Sequence, residues 1–140
     1  MILILDLIQT NAVNFVQMDA FCQGGLKSAN KIFQSVQDSG LKLAYHSWGT
    51  MLEVLVASHL GICWPEHVVE WLEHPNYSNS GRLGMYPFAL SDEILKGPLP
   101  IEKGELVVPD SPGIGIDVDE SVVEKYPFIP GPWSVFEIYS

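Results

Sequence analysis

Short apolar runs and helical stripes follow one another along the first half of the chain. An apolar run over residues 2–8 reads as the end of a helix. Residues 13–18 form a short apolar run closed by Asp19, which reads as a strand. From Gly24 the period changes: Leu26, Ala29, Phe33 and Val36 form a stripe with Ile32 beside it, and Lys27, Asn30, Lys31 and Gln34 supply the wet face. Asp38-Ser39-Gly40 ends that helix, with Gly40 suited to a left-handed C′ position. Residues 41–45 form a second strand closed by His46. Thr50 is placed to cap a helix over residues 51–62, which Leu52, Val54, Leu55, Val56, Ala57 and Leu60 make apolar almost all round and therefore buried. With Pro65 beyond its end, residues 67–72 read as a third strand. The order is β-α-β-α-β, and right-handed crossovers predict parallel neighbours.

The texture changes after His74. Residues 76–84 are polar and turn-rich, residues 92–95 fit a short helical turn, and residues 101–108 fit a hairpin turning at Lys103-Gly104. Residues 109–115 are rich in Pro and Gly. Residues 121–126 suit a short helix capped by Ser121, and the tail, with its three prolines, should be extended. No internal repeat or low-complexity tract is present. The apolar start, a helix end without a beginning, leads us to expect that the chain begins inside a larger protein.

Composition narrows the function classes. The chain has 140 residues, 7 basic against 17 acidic, and a formal net charge of −10. That balance argues against nucleic acid as a partner and against docking on an anionic membrane. The N-terminal run lacks a basic n-region and is interrupted by Asp6, so it is not read as a signal peptide, and no stretch reaches membrane-span length. Cys22 and Cys63 lack CxxC spacing, so a reduced, cytoplasmic protein is expected.

The candidate chemistry lies at the strand ends. A strand–helix–strand crossover puts Asp19 and His46 on one edge of the sheet, where a carboxylate can fix the tautomer of an imidazole and favour its charged form. Such a pair is a general acid/base. His59 is expected to be a packing residue in a buried helix, and His67 and His74 lack zinc-site spacing. Gly24-Gly25 fits either an anion-binding helix start or a tight turn. Glu53 should bond locally or reach a neighbouring element. Cys22 lies at the presumed edge of the site but has no evident base, so it is a poor nucleophile candidate.

Four stretches carry a family resemblance. They are Gln17-Met18-Asp19 with Gly24-Gly25 after four residues, Tyr45-His46-Ser47-Trp48-Gly49-Thr50, Ser58-His59-Leu60 with Pro65 and Val69-Glu70, and Gly104 to Pro109 followed by Ser111-Pro112-Gly113-Ile114-Gly115. In this order they resemble the C-terminal part of the enolase superfamily, in its mandelate racemase/muconate lactonizing enzyme branch. The resemblance implies an α/β fold: the C-terminal part of a (β/α) TIM-type barrel, about three parallel strands with crossover helices. Residues 1–75 would be the partial barrel. Residues 76–140 would be a loop, a hairpin and an extended segment returning to a capping domain. A whole barrel needs about 250 residues.

The resemblance also implies chemistry. The complete enzyme would be an acid-sugar dehydratase or racemase that abstracts a proton α to a carboxylate through an enediolate. His46 and Asp19 would be the acid/base dyad, and a glutamate of the eighth barrel strand would meet the substrate carboxylate. Glu70 and Glu73 face opposite sides of a continuous strand, so only one can serve. Glu70 is favoured from its place after Val69, with Glu73 the alternative. Ser47, Trp48 and Cys22 would border the substrate pocket. A divalent metal, Mg2+ by resemblance, belongs to the complete enzyme, and no metal ligand is expected in this stretch. The substrate would be a small carboxylate, an acid sugar or 2-hydroxy acid. The stretch alone should be inactive, and its exposed sheet edges should make it a homo-oligomer. The alternative is a non-catalytic α/β module acting by self-association or partner binding.

Overall fold

A computed structural model describes residues 2–19, 21–47, 50–74 and 89–127. Its centre is a three-stranded parallel sheet, β1 (Phe15–Met18), β2 (Lys42–Tyr45) and β3 (Val69–Leu72), in spatial order β1-β2-β3. Helix α1 (Ile2–Gln9) precedes it, α2 (Gly25–Asp38) joins β1 to β2, and α3 (Met51–Gly61) joins β2 to β3. The α/β class and the parallel order are those read from the periodicity.

The stripe on α2 does what its spacing predicts. Ala29, Ile32, Phe33 and Val36 are buried against Val16, Met18, Leu43 and Tyr45, which are alternate residues of β1 and β2 and so share one face of the sheet. Leu26, in the first turn, is exposed instead. Gly24 and Gly25 both have positive φ, 95° and 77°, so the chain turns from strand into helix through a backbone conformation that favours glycine.

Helix α3 is apolar all round because it is packed on two sides. Ala57 and Leu60 join the sheet core, while Leu55, Met51 and Leu52 pack against the C-terminal segment through Ile94, Leu95, Ile114, Ile116 and Val118. Thr50 occupies the N-cap position as expected, but its side chain makes no capping bond. The buried Ser91 hydroxyl accepts from Met51 N–H (3.1 Å) and so satisfies one of the helix's first donors from another element.

Ser91 belongs to α4 (Ala89–Glu93), which precedes a hairpin of β4 (Ile101–Glu102) and β5 (Glu105–Leu106). Lys103 and Gly104 both have positive φ, as a tight two-residue hairpin turn requires. Helix α5 (Glu120–Lys125) starts one residue earlier than expected, because Asp119, not Ser121, is its cap and accepts from Ser121 N–H. The strap before α5 is tied back by an antiparallel bridge between Leu95 and Val118, and by His59 Nε2 donating to Ile114 O over 3.1 Å. His59 is thus a packing and tethering residue.

Gly115 closes the strap. Its φ is +76°, and a Cβ there would collide with Pro109. Gly115→Ala should therefore lower stability by about 1–3 kcal/mol, from overpacking and a strained φ. Urea denaturation would measure the loss, and limited proteolysis should find the strap cut first; an unchanged midpoint would show that the strap relaxes freely.

The residues 76–84 expected as a loop, the tail from 128 onward, and Trp48 lie outside the described residues. Among the described residues, no helix is long and apolar enough to cross a membrane.

Candidate functional site

Three side chains meet at the C-terminal edge of the sheet, each one residue past the end of its strand. Asp19 follows β1, His46 follows β2 and Glu73 follows β3. The ladder continues one step beyond the strands: His46 N–H donates to Met18 O (2.9 Å) and Glu73 N–H to Tyr45 O (3.2 Å). Parallel pairing with crossover helices thus brings together residues 54 positions apart along the chain.

His46 Nδ1 and Glu73 Oε2 are 2.7 Å apart. A carboxylate oxygen only accepts, so Nδ1 carries the proton of this bond. The same Oε2 accepts from Ser47 N–H (2.9 Å) and from Gln17 Nε2 (3.4 Å). Glu73 therefore gathers donors from the ends of both other strands. Its hydrogen bond raises the imidazole pKa above the ordinary range; burial opposes this, and the charges of Glu73, Asp19 and Glu53 add to the rise.

Asp19 is buried and differently bound. Its Oδ1 accepts from Phe21 N–H (2.7 Å) and Cys22 N–H (3.0 Å), while Gln23 Oε1 accepts from Asp19 N–H (2.6 Å). Burial disfavours its charge, but hydrogen bonds from the Cys22 thiol and from the Cys22 and Phe21 backbones outweigh this and lower its pKa. The same contact pushes the Cys22 thiol up, by hydrogen bond and then by charge. Cys22 thus borders Asp19 as expected and is held away from the nucleophilic thiolate form.

The two glutamates of the third strand separate. Glu70 is exposed and pairs with Lys42 Nζ at 2.5 Å, and that bond lowers its pKa. The structure places the favoured Glu70 away from His46 and the alternative, Glu73, against it. The physical reason is a register shift. Leu43 lies opposite Val69, but Ala44 lies opposite Trp71, so Glu70 is an extra residue in β3. Beyond that point Ala44 and Trp71, then His46 and Glu73, are opposite each other. The expectation that Glu70 and Glu73 face opposite sides assumes a continuous strand, which this shift interrupts.

Ser47 is 1% exposed, and its hydroxyl has no hydrogen-bond partner among the described residues. Glu53, expected to bond locally or reach a neighbouring element, is buried on α3 within hydrogen-bonding reach of Asp19 at the end of β1, and its charge acts on His46. A signal for it was available, since it is the one acid in a helix otherwise apolar all round. Gln17 could also have been found, as it stands two residues before Asp19 on the same sheet face.

Among the described residues, no group of three or more His, Cys, Asp or Glu side chains could hold a metal ion. The chemistry agrees, because Asp19 Oδ1 is taken by two backbone N–H groups and His46 Nδ1 by Glu73. These residues do not form a metal site. A cavity of about 710 Å³ lies elsewhere, among α3, β3 and the hairpin, lined in part by Trp64, Trp71, Ile101 and Leu106. It does not include His46, Asp19 or Glu73.

A family model described as enolase C-terminal domain-like matches residues 3–122. A D-galactonate dehydratase family member of Musicola paradisiaca is 26% identical over 125 residues, covering 86% of this chain and 27% of that protein. Muconate cycloisomerase 1 of Acinetobacter baylyi is 36% identical over 102 residues, 73% of this chain and 25% of that protein. The crystal structure of L-talarate dehydratase from Polaromonas sp. JS666, complexed with Mg and L-glucarate, aligns with a TM-score of 0.63 at 25% identity, covering 85% of this chain and 28% of that one. The chain spans about a quarter of the length of the curated relatives it matches.

Proposed function

We propose a function from one premise: this chain belongs to the enolase C-terminal domain-like family. We read it as part of an acid-sugar dehydratase or racemase, acting on a small carboxylate such as an acid sugar or 2-hydroxy acid. The reaction is that of a whole protein in which this chain supplies one wall of the site. The observation that carries the reading is the convergence of His46, Asp19 and Glu73 at the ends of three adjacent parallel strands. The names of the matched dehydratases support the substrate class.

In this reading His46 is the acid/base. It takes the proton from the carbon α to the substrate carboxylate, and the C–H electron pair moves into an enediolate. In a dehydratase the pair then expels the β-hydroxyl, which leaves as water with a proton from the imidazolium. In a racemase a proton returns to the carbon. Asp19 is the dyad partner through its charge, which favours the protonated ring. Of the two glutamates, Glu73 takes the place of the eighth-strand carboxylate, because it lies in bonding contact with His46 and Glu70 does not share that edge. Cys22 and Ser47 border the same edge. A divalent metal belongs to other parts of the complete protein, and no step here runs through it. The stretch alone should be inactive, since an anionic substrate would meet the carboxylates of Asp19, Glu53 and Glu73 there, and the divalent metal of this reading belongs to the rest of the protein.

The test is proton exchange. The whole protein that contains this chain is incubated in D2O with a panel of acid sugars and 2-hydroxy acids and followed by 1H NMR. Deuterium should enter at the carbon α to the carboxylate of at least one of them. A panel that includes the acids named for the matched dehydratases, with no exchange at any α-carbon, would overturn the reading.

A further inference from the structure

We propose that Glu53 and Asp19 share one proton: Glu53 holds it and donates it to the Asp19 anion, and its release adds a further negative charge beside His46. Glu53 is thus a positioning residue that acts through Asp19. This deepens the function proposed above and rests on the roles given there to Asp19 and His46.

The placement of Glu53 is unusual for an acid. It sits in the first turn of α3 at 9% exposure, Asp19 is 8% exposed at the end of β1, and the two carboxyl groups are in hydrogen-bonding contact. A carboxylate only accepts, so a bond between two carboxyl groups needs a proton on one of them. Two buried carboxylates in contact repel, which keeps that proton in place after an isolated acid would have lost it.

The donors decide which residue holds the proton. Asp19 Oδ1 accepts from Phe21 N–H (2.7 Å) and Cys22 N–H (3.0 Å), and the Cys22 thiol bonds the same carboxylate. These bonds favour the anion at Asp19. Glu53 instead leaves a helix whose neighbouring buried residues, Val54, Leu55 and Ala57, are apolar. Thr50-Met51-Leu52-Glu53 has the spacing of a capping box, but the Thr50 side chain makes no capping bond, and Glu53 reaches across to Asp19. The pair therefore loses its protons in two steps, Asp19 first.

The other titratable groups facing the pair are Cys22 in the β1–α2 turn and His46 at the end of β2, with Glu73 bonded to the ring. His59, also on α3, bonds Ile114 O instead. A charged imidazole and the N-terminal end of α3 both draw the proton off Glu53 as pH rises, while Glu73 opposes its release. The edge of the sheet thus has two charge settings. With the proton in place, His46 meets the charges of Asp19 and Glu73. Once it is released, Glu53 adds its own and holds the ring protonated to higher pH.

The experiment titrates the full chain, labelled with 13C and 15N, by NMR. The Glu53 Cδ signal is assigned through its own backbone and compared with those of the exposed Glu102 and Glu124. In the native chain Glu53 should ionise at clearly higher pH than either. Asp19→Asn, or Asp19→Ser where that variant does not fold, should bring the Glu53 step back toward theirs. Glu53→Gln keeps a donor for Asp19 but never ionises, so it should lower the pH at which the His46 ring loses its proton. A native Glu53 that ionises with the exposed glutamates would overturn the proposal. A Glu53 step unmoved by loss of the Asp19 carboxylate, or a His46 midpoint unmoved in Glu53→Gln, would overturn it too. All three readings are made without substrate. Failure of the D2O exchange test would overturn the assigned reaction and leave the shared proton standing, and the reverse holds equally.

Discussion

With Asn in place of His46, the whole enzyme should turn over about 10²–10⁴-fold more slowly, the usual contribution of a positioned general acid/base. Asn is the informative replacement because its amide can still donate to Glu73 Oε2, which now accepts from Nδ1 at 2.7 Å. The anion keeps a donor, and the edge of the sheet keeps its hydrogen bonds to Ser47 and Gln17. What disappears is a group that can take and return a proton near neutral pH. The loss should fall on kcat, measured with an acid sugar that the native enzyme exchanges in D2O. If the enzyme is a racemase, the loss can be confined to one substrate face. Unchanged turnover from both faces would end the assignment of His46 as acid/base.

The largest structural effect should come from Phe33→Ala. Phe33 is 1% exposed at the centre of the α2–sheet interface. Its ring meets Tyr45 edge-on with centroids 5.4 Å apart, and Trp64 at 4.9 Å. Removing it loses the transfer energy of a large ring, two aromatic contacts and the packing around them, together about 3–5 kcal/mol. Small domains have about 5–15 kcal/mol of stability in total. The substitution should therefore shift the urea midpoint far toward zero, and Phe33→Leu should recover much of the loss. A change below about 1 kcal/mol would mean that the site collapses around the cavity.

Much of the sheet could be read in the sequence because its signals are local. The stripe through Ala29, Phe33 and Val36 specifies α2, Gly40 ends it with a φ of +66°, and Lys103-Gly104 turns the hairpin. The common edge of Asp19 and His46 was readable too, since it depends only on strand order and crossover. The rest depends on contacts between distant segments. Thr50 has the chemistry of a cap, yet the donor at Met51 is satisfied by Ser91, 40 residues further on. At α5 two oxygen-bearing side chains two positions apart, Asp119 and Ser121, could each start the helix, and Asp119 does so. Which carboxylate reaches His46 is harder still. It is set by how β3 slides against β2, and no local pattern carries that information.

The extra residue in β3 bears on how length variation in this chain should be interpreted. After the shift, His46 and Glu73 stand opposite each other. Delete Glu70, and with the pairing at Leu43 kept Trp71 still faces Ala44 and Glu73 still faces His46; delete Trp71 or Leu72 with the bulge kept, and the residue facing His46 becomes His74. An aligned glutamate would then be a false equivalence. In natural variants or engineered chimeras, a gap of one position after the bulge amounts to replacing the carboxylate, whereas loss of the extra residue itself does not. A gap of the same size between α3 and β3 leaves the strand's own parity untouched. Insertions and deletions at Trp71 or Leu72 should therefore be scored as changes of chemistry, even where every acidic residue has been retained.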